Sequence, residues 1–98
     1  MSETQQDPGY IDNKEKVKNR LRRISGQIGG IERMVEEERY CIDILTQISA
    51  AQAAIDKVAL ALLDEHTRHC VVGAESPKAR EEKTEEMMEA VGRLLRSR

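Results

Sequence analysis

The strongest regularity in the chain is an apolar stripe: Val17, Leu21, Ile24, Ile28, Ile31 and Val35 recur at steps of 4, 3, 4, 3 and 4. Steps alternating between three and four keep side chains on one face of an α-helix, so the stripe predicts an amphipathic helix with a heptad-like seam. Asp12, just ahead of it, is placed to cap that helix. Gly26, Gly29 and Gly30 interrupt the pattern, each costing about 0.8 to 1 kcal/mol relative to Ala, which predicts either close packing against that stretch or a bend.

A second pattern runs from Tyr40 through Ile44, Leu45, Ile48, Ala51, Ile55, Val58, Leu62 and Leu63, with no Gly or Pro before Gly73. It predicts one long helix. Ala50, Ala51, Ala53, Ala54, Ala59 and Ala61 make that helix thin and strongly helix-forming, so a partner helix could approach it closely. Gly73 supplies a stop, and Ser76-Pro77 supplies the next start, with Ser as N-cap and Pro in the first turn. A third helix then passes through Met87, Met88, Val91, Leu94 and Leu95, with its acidic residues early and Arg93, Arg96 and Arg98 late, as the helix dipole prefers. Residues 1–11 are polar, contain Pro8-Gly9 and show no period, and are read as a flexible N-terminal tail. The expectation is an all-α, three-helix protomer in which residues 12–98 form a single domain.

Composition adds a constraint on stability. A chain of 98 residues with 2% aromatic content and neither Trp nor Phe buries only about 60 to 65% of its unfolded surface, so one subunit alone is marginal. Two tyrosines argue against modules that stack several nucleobases on aromatic rings. No run reaches the length of a membrane span, and the opening Met-Ser-Glu-Thr-Gln-Gln-Asp lacks the basic and apolar regions of a signal peptide, which suggests a cytoplasmic protein with Cys41 and Cys70 as thiols.

The net charge of −2 conceals opposed blocks. Residues 14–33 carry seven basic against two acidic residues, a net of +5, and residues 36–65 carry two basic against seven acidic, a net of −5. A basic first helix on an otherwise acidic protein suits a polyanion, because Lys and Arg neutralise phosphates whatever the base sequence. A solvated helix face is the other reading of the same charges. No catalytic elbow, Gly-rich phosphate loop or zinc-finger spacing is present, and an enzyme is not expected.

Unusual chemistry is confined to Cys41, His66, His69 and Cys70. His66 and Cys70 are four residues apart, a spacing that stacks them on one helix face and suits chelation of one ion. If residues 41–70 are one helix at about 1.5 Å per residue, Cys41 stands roughly 37 Å from His66 and cannot reach it within one chain. Two copies packed antiparallel would set Cys41 of one beside His66 and Cys70 of the other, twice by symmetry, and would pool two insufficient cores. Two thiolates and one imidazole form a soft three-ligand set, for which Cu(I) is the first choice and Zn(II) with a water the alternative.

Several segments together carry a family resemblance. They are Asn19-Arg20-Leu21-Arg22-Arg23-Ile24-Ser25-Gly26-Gln27-Ile28, Gly30-Ile31-Glu32-Arg33-Met34-Val35, Tyr40-Cys41-Ile42-Asp43-Ile44-Leu45 leading into Gln47-Ile48-Ser49-Ala50-Ala51-Gln52, and His66-x3-Cys70. Over about residues 14–95 the chain resembles the copper-sensing (CsoR) branch of the CsoR/RcnR family of bacterial metal-sensing repressors. The resemblance implies a homodimer built as an antiparallel four-helix bundle with a third helix added, pairing into a dimer of dimers that represses transcription until Cu(I) binds. It implies Cys41, His66 and Cys70 as metal ligands, with Cys41 from the opposite subunit. Tyr40 and Glu86 match residues that lie behind the ligand His, where a carboxylate on the second ring nitrogen would orient the imidazole.

The same resemblance implies operator double-stranded DNA as partner, with Arg20 at a position the family uses on DNA and Lys14, Lys18, Arg22, Arg23 and Lys57 as phosphate contacts. Leu60 departs from the pattern, since some relatives carry a further basic residue there. The nickel- and cobalt-sensing relatives add a nitrogen ligand near the position of Gly9, and this chain has no His there. Persulfide-sensing relatives keep both cysteines but lack the His. A thiol sensor using Cys41 and Cys70, and a helical adaptor without DNA function, are the competing readings, and His69 is read as a surface residue.

Overall fold

A computed structural model describes residues 8–96. Its elements are a 3-10 turn (Ile11–Asn13), helix α1 (Lys14–Glu36), helix α2 (Cys41–His66), a π-helical turn (Thr67–Val71) and helix α3 (Pro77–Arg96). The chain is all-helical, with three helices and no strand among the described residues. The described residues fold as two compact units: residues 13–60 form one, and residues 61–96 with residues 8–12 form the other.

In the first unit, α1 and the greater part of α2 are joined by a short connection. That connection closes as a Schellman motif: Arg39 N–H donates to Met34 O at 2.9 Å and Glu38 N–H to Val35 O at 3.0 Å. Its pivot is Glu38, whose φ of 58° lies in the left-handed region that favours glycine. The apolar stripe does form one helix face, but only Ile24 of α1 and Val58 of α2 are buried in this unit. Ile28 stays 56% exposed, Val35 59% and Leu45 52%. Ile24, Ile28 and Ile31 of α1 and Ile48, Ala51 and Ile55 of α2 instead line an open apolar groove. Gly26 and Gly29 of α1 do not face a neighbour within the chain, since a Cβ at either would meet nothing within 4 Å, whereas a Cβ at Gly30 would lie 3.8 Å from Arg33 Nη2.

The helix start differs from the cap expected at Asp12. Asp12 lies inside the 3-10 turn, and Asn13 occupies the cap position without a side-chain capping hydrogen bond, so the tight turn rather than a carboxylate leads the chain into α1.

In the second unit, the long second helix changes pitch before it stops. After His66 the hydrogen bonding shifts to i→i+5, as Val72 N–H donates to Thr67 O at 2.9 Å. Gly73 ends the turn where a Cβ would stand 2.9 Å from His69 O. Ser76 then caps α3 as expected: its Oγ accepts from Ala79 N–H at 3.1 Å, with Pro77 as the first helical residue. The π-turn and α3 pack together, and Thr67 Oγ1 lies 2.9 Å from Leu63 O and 3.3 Å from Met87 Sδ. Cys70 and Val71 are buried here. The first seven residues of the tail expected over 1–11 fall outside the described residues, while Gly9 is buried in this unit and Ile11 begins the 3-10 turn.

Candidate metal centre and cationic groove

His66 is the last residue of α2 and Cys70 lies on the π-turn that follows. One point locates them together: an ideal Cβ on Gly9 would stand 3.2 Å from Cys70 Sγ and 3.5 Å from His66 Cα. Gly9 adopts φ +93°, a conformation that L side chains rarely take, and a larger residue there would be strained and would press on Cys70 Sγ.

The polar accounting at this spot is incomplete within the chain. His66 Nε2 is buried and has no hydrogen-bond partner. An unmatched buried imidazole nitrogen costs about 1 to 3 kcal/mol in lost hydration, and coordination of a metal by its lone pair would remove that cost. Cys70, four residues further on, is 8% exposed, so an ion held by these two residues would sit in largely water-excluded surroundings. An imidazole nitrogen and a thiol sulfur as ligands suit a soft metal.

Cys41 is not part of this pair within one chain. It is exposed at the first turn of α2, whereas His66 ends the same helix. Among the described residues no group of three or more His, Cys, Asp or Glu side chains could hold a metal ion. Tyr40, 70% exposed, acts through its backbone, its carbonyl accepting from Asp43 N–H at 3.0 Å and Ile44 N–H at 3.3 Å. Glu86 is exposed, with Oε1 3.9 Å from Lys83 Nζ. Neither is bonded to His66 Nε2. His69 Nε2 lies 3.0 Å from Glu65 Oε1, and His69 is half-exposed beside a cleft shared with Pro8, Gly9, Ile11 and Asp12.

The basic residues separate into two groups. Lys14 begins α1 and is exposed, Lys18 Nζ lies 3.9 Å from Glu15, and Arg22 donates to Asn19 Oδ1 at 2.9 Å. Arg20, Arg23 and Lys57 instead converge on one groove between α1 and α2, of about 530 Å³, whose floor includes Ala50, Ala53 and Ala54. Sequence reasoning did not single out Gln27, which lines the same groove. Its spacing was the available signal, because Arg20, Arg23 and Gln27 stand at i, i+3 and i+7.

Residues 13–93 match the family model of the metal-sensitive transcriptional repressors. The chain is 50% identical over 91 residues to the copper-sensing transcriptional repressor RicR of Mycobacterium tuberculosis (strain ATCC 25618 / H37Rv), spanning 91% of this chain and 95% of that protein. It is 46% identical over 84 residues to the copper-sensing transcriptional repressor CsoR of Bacillus subtilis (strain 168), spanning 86% and 83% respectively. Its fold superposes, with a TM-score of 0.80 and 39% identity, on the crystal structure of the copper-sensing repressor CsoR with Cu(I) from Geobacillus thermodenitrificans NG80-2, covering 97% of this chain and 93% of that one. The chain belongs to the family of metal-sensitive transcriptional repressors, which are regulators and not enzymes.

Proposed function

We propose that the chain is a Cu(I)-responsive repressor. Its apo form holds operator DNA through its basic residues and releases it when Cu(I) binds between subunits, at Cys41 of one protomer and His66 and Cys70 of the other, so that copper-resistance genes are expressed. The observation that carries this reading is His66 Nε2, buried without a partner beside the buried Cys70. Cu(I) accepts two sulfurs and a nitrogen at low coordination number, whereas Zn(II) requires a fourth ligand. The similarity to copper-sensing repressors supports the choice of metal.

The assembly follows from the shortage of core. Among the described residues only Ile24, Val58, Cys70 and Val71 are buried hydrophobics. An antiparallel dimer would cover the open isoleucine groove and bring Cys41 to the far end of the partner's α2, and a dimer of dimers would present the basic faces together. Residues 12–98 then work as one helical DNA-binding and metal-sensing domain in the cytoplasm, where operator DNA is found and thiols stay reduced. Linkage requires that operator DNA weaken Cu(I) binding by the factor with which Cu(I) weakens DNA binding.

Anaerobic Cu(I) titration followed by X-ray absorption tests the reading. A three-coordinate shell of two sulfurs and one nitrogen is expected. A four-coordinate shell, or a Cys41→Ala protein that still releases DNA on adding Cu(I), overturns it. Release driven by persulfide and not by Cu(I) would transfer the role to the thiols alone.

A further inference from the structure

Phosphate contacts place a protein on DNA but carry no sequence information, which is read through base edges or through the shape of the duplex. We infer that Gln27 reads a base edge, making a paired hydrogen bond to an adenine while Arg20, Arg23 and Lys57 hold the flanking phosphates. The inference rests on the DNA-binding reading above.

The groove's composition separates the two tasks. Three of its lining side chains are cations and three are alanines, while the Gln27 amide is the neutral side chain able both to donate and to accept a hydrogen bond. A guanidinium or ammonium on a phosphate is satisfied by any sequence. An amide offers one donor and one acceptor side by side, which matches the N7 and N6 of adenine in the major groove. Gln27 is half-buried, and among the described residues its side chain has no hydrogen-bond partner, so no contact within the chain competes for it. Ala50, Ala53 and Ala54 line the groove opposite it with short side chains.

Spacing agrees with this division. Arg20 and Gln27 are seven residues apart on one face of α1, about 10 Å along the axis, comparable with the roughly 12 Å width of the major groove. A helix held at one groove edge by Arg20 and Arg23 therefore carries Gln27 toward the bases. Next to Gln27 the helix flank is bare, since Gly26 has no side chain and a Cβ there would meet nothing within 4 Å.

The test starts from duplexes selected out of a randomised pool by the wild-type apo protein. Gln27→Ala, and Gln27→Met as a variant that keeps length and loses the amide, are then compared with wild type on the selected duplex and on mixed-sequence duplex DNA. Both variants are expected to lose about tenfold or more on the selected duplex, to bind mixed-sequence DNA as wild type does, and to keep the wild-type salt dependence. Pools selected by either variant should relax at an A·T pair in each half-site. Arg23→Ala should instead weaken both duplexes and lower the salt slope by about 1. Equal losses on both duplexes, an unchanged consensus, or relaxation at a G·C pair would overturn the role of Gln27. If wild type binds no duplex at all, the DNA-binding reading itself fails.

Discussion

Gly9 and Cys70 are packed so closely that a Cβ on Gly9 would stand 3.2 Å from Cys70 Sγ. The contact, with the φ of +93° that permits it, makes Gly9 part of the wall around the sulfur. A β-branched residue there must both clash with the sulfur and hold a left-handed backbone, which costs an L-residue about 1 to 2 kcal/mol. Gly9→Val should therefore lift this segment off the site. Alkylation of Cys70, followed by peptide mass spectrometry, should run several-fold faster in the variant while helical content stays at the wild-type level. An unchanged rate would mean that the segment does not shield the thiol.

Glu38 holds the left-handed position of the turn between α1 and α2 at φ 58°, a place where glycine carries no steric penalty. Glu38→Gly should raise stability by about 0.5 to 1 kcal/mol, the relief of strain being partly offset by a more flexible unfolded chain. Urea unfolding should show a higher midpoint at unchanged slope. A lower midpoint would place the carboxylate in an interaction that outweighs the strain.

Periodicity carried the helices into view because burial demands it, and the Ser76-Pro77 start was legible because capping is local chemistry satisfied by neighbouring residues. Other features depend on geometry that side-chain pattern does not encode. An i→i+4 and an i→i+5 turn accept the same residues, so the π-turn between His66 and Cys70 reads as ordinary helix. Glu38 stands where a glycine would have announced the turn. Asp12 has the chemistry of a cap, but the 3-10 turn took that place. At the metal centre the residue types and the 41-to-66 separation were legible, whereas the unpartnered state of His66 Nε2 could emerge only from burial in three dimensions. The charge segregation located the basic helix without revealing that Lys18 and Arg22 have partners on their own helix while Arg20, Arg23 and Lys57 meet in one groove.

The glycines of α1 offer a direct test of whether another chain packs there. Nothing in this chain lies within 4 Å of a Cβ at Gly26, so Gly26→Ala should stabilise α1 by about 0.8 to 1 kcal/mol through helix propensity alone. Thermal unfolding should shift upward by a few degrees. A fall in the midpoint, accompanied by a smaller oligomer in sedimentation, would instead place a partner subunit against this stretch.

The intersubunit ligand set predicts recovery of metal binding on mixing two defective proteins. Cys41 and His66 occupy opposite ends of the 26-residue α2, on the order of 37 Å apart at the helical rise, so one chain cannot join them. Cys41→Ala removes one ligand from each site, and a His66→Ala, Cys70→Ala double variant removes the other two. Neither protein alone should bind Cu(I) in the three-coordinate form. After unfolding and refolding an equal mixture, half of the dimers should be mixed, and each mixed dimer holds one complete site, so about a quarter of the wild-type sites should return. Cu(I) titration against a competing chelator measures that fraction. No recovery, from a mixture shown by mass spectrometry to contain mixed dimers, would rule out Cys41 as a ligand supplied across the interface.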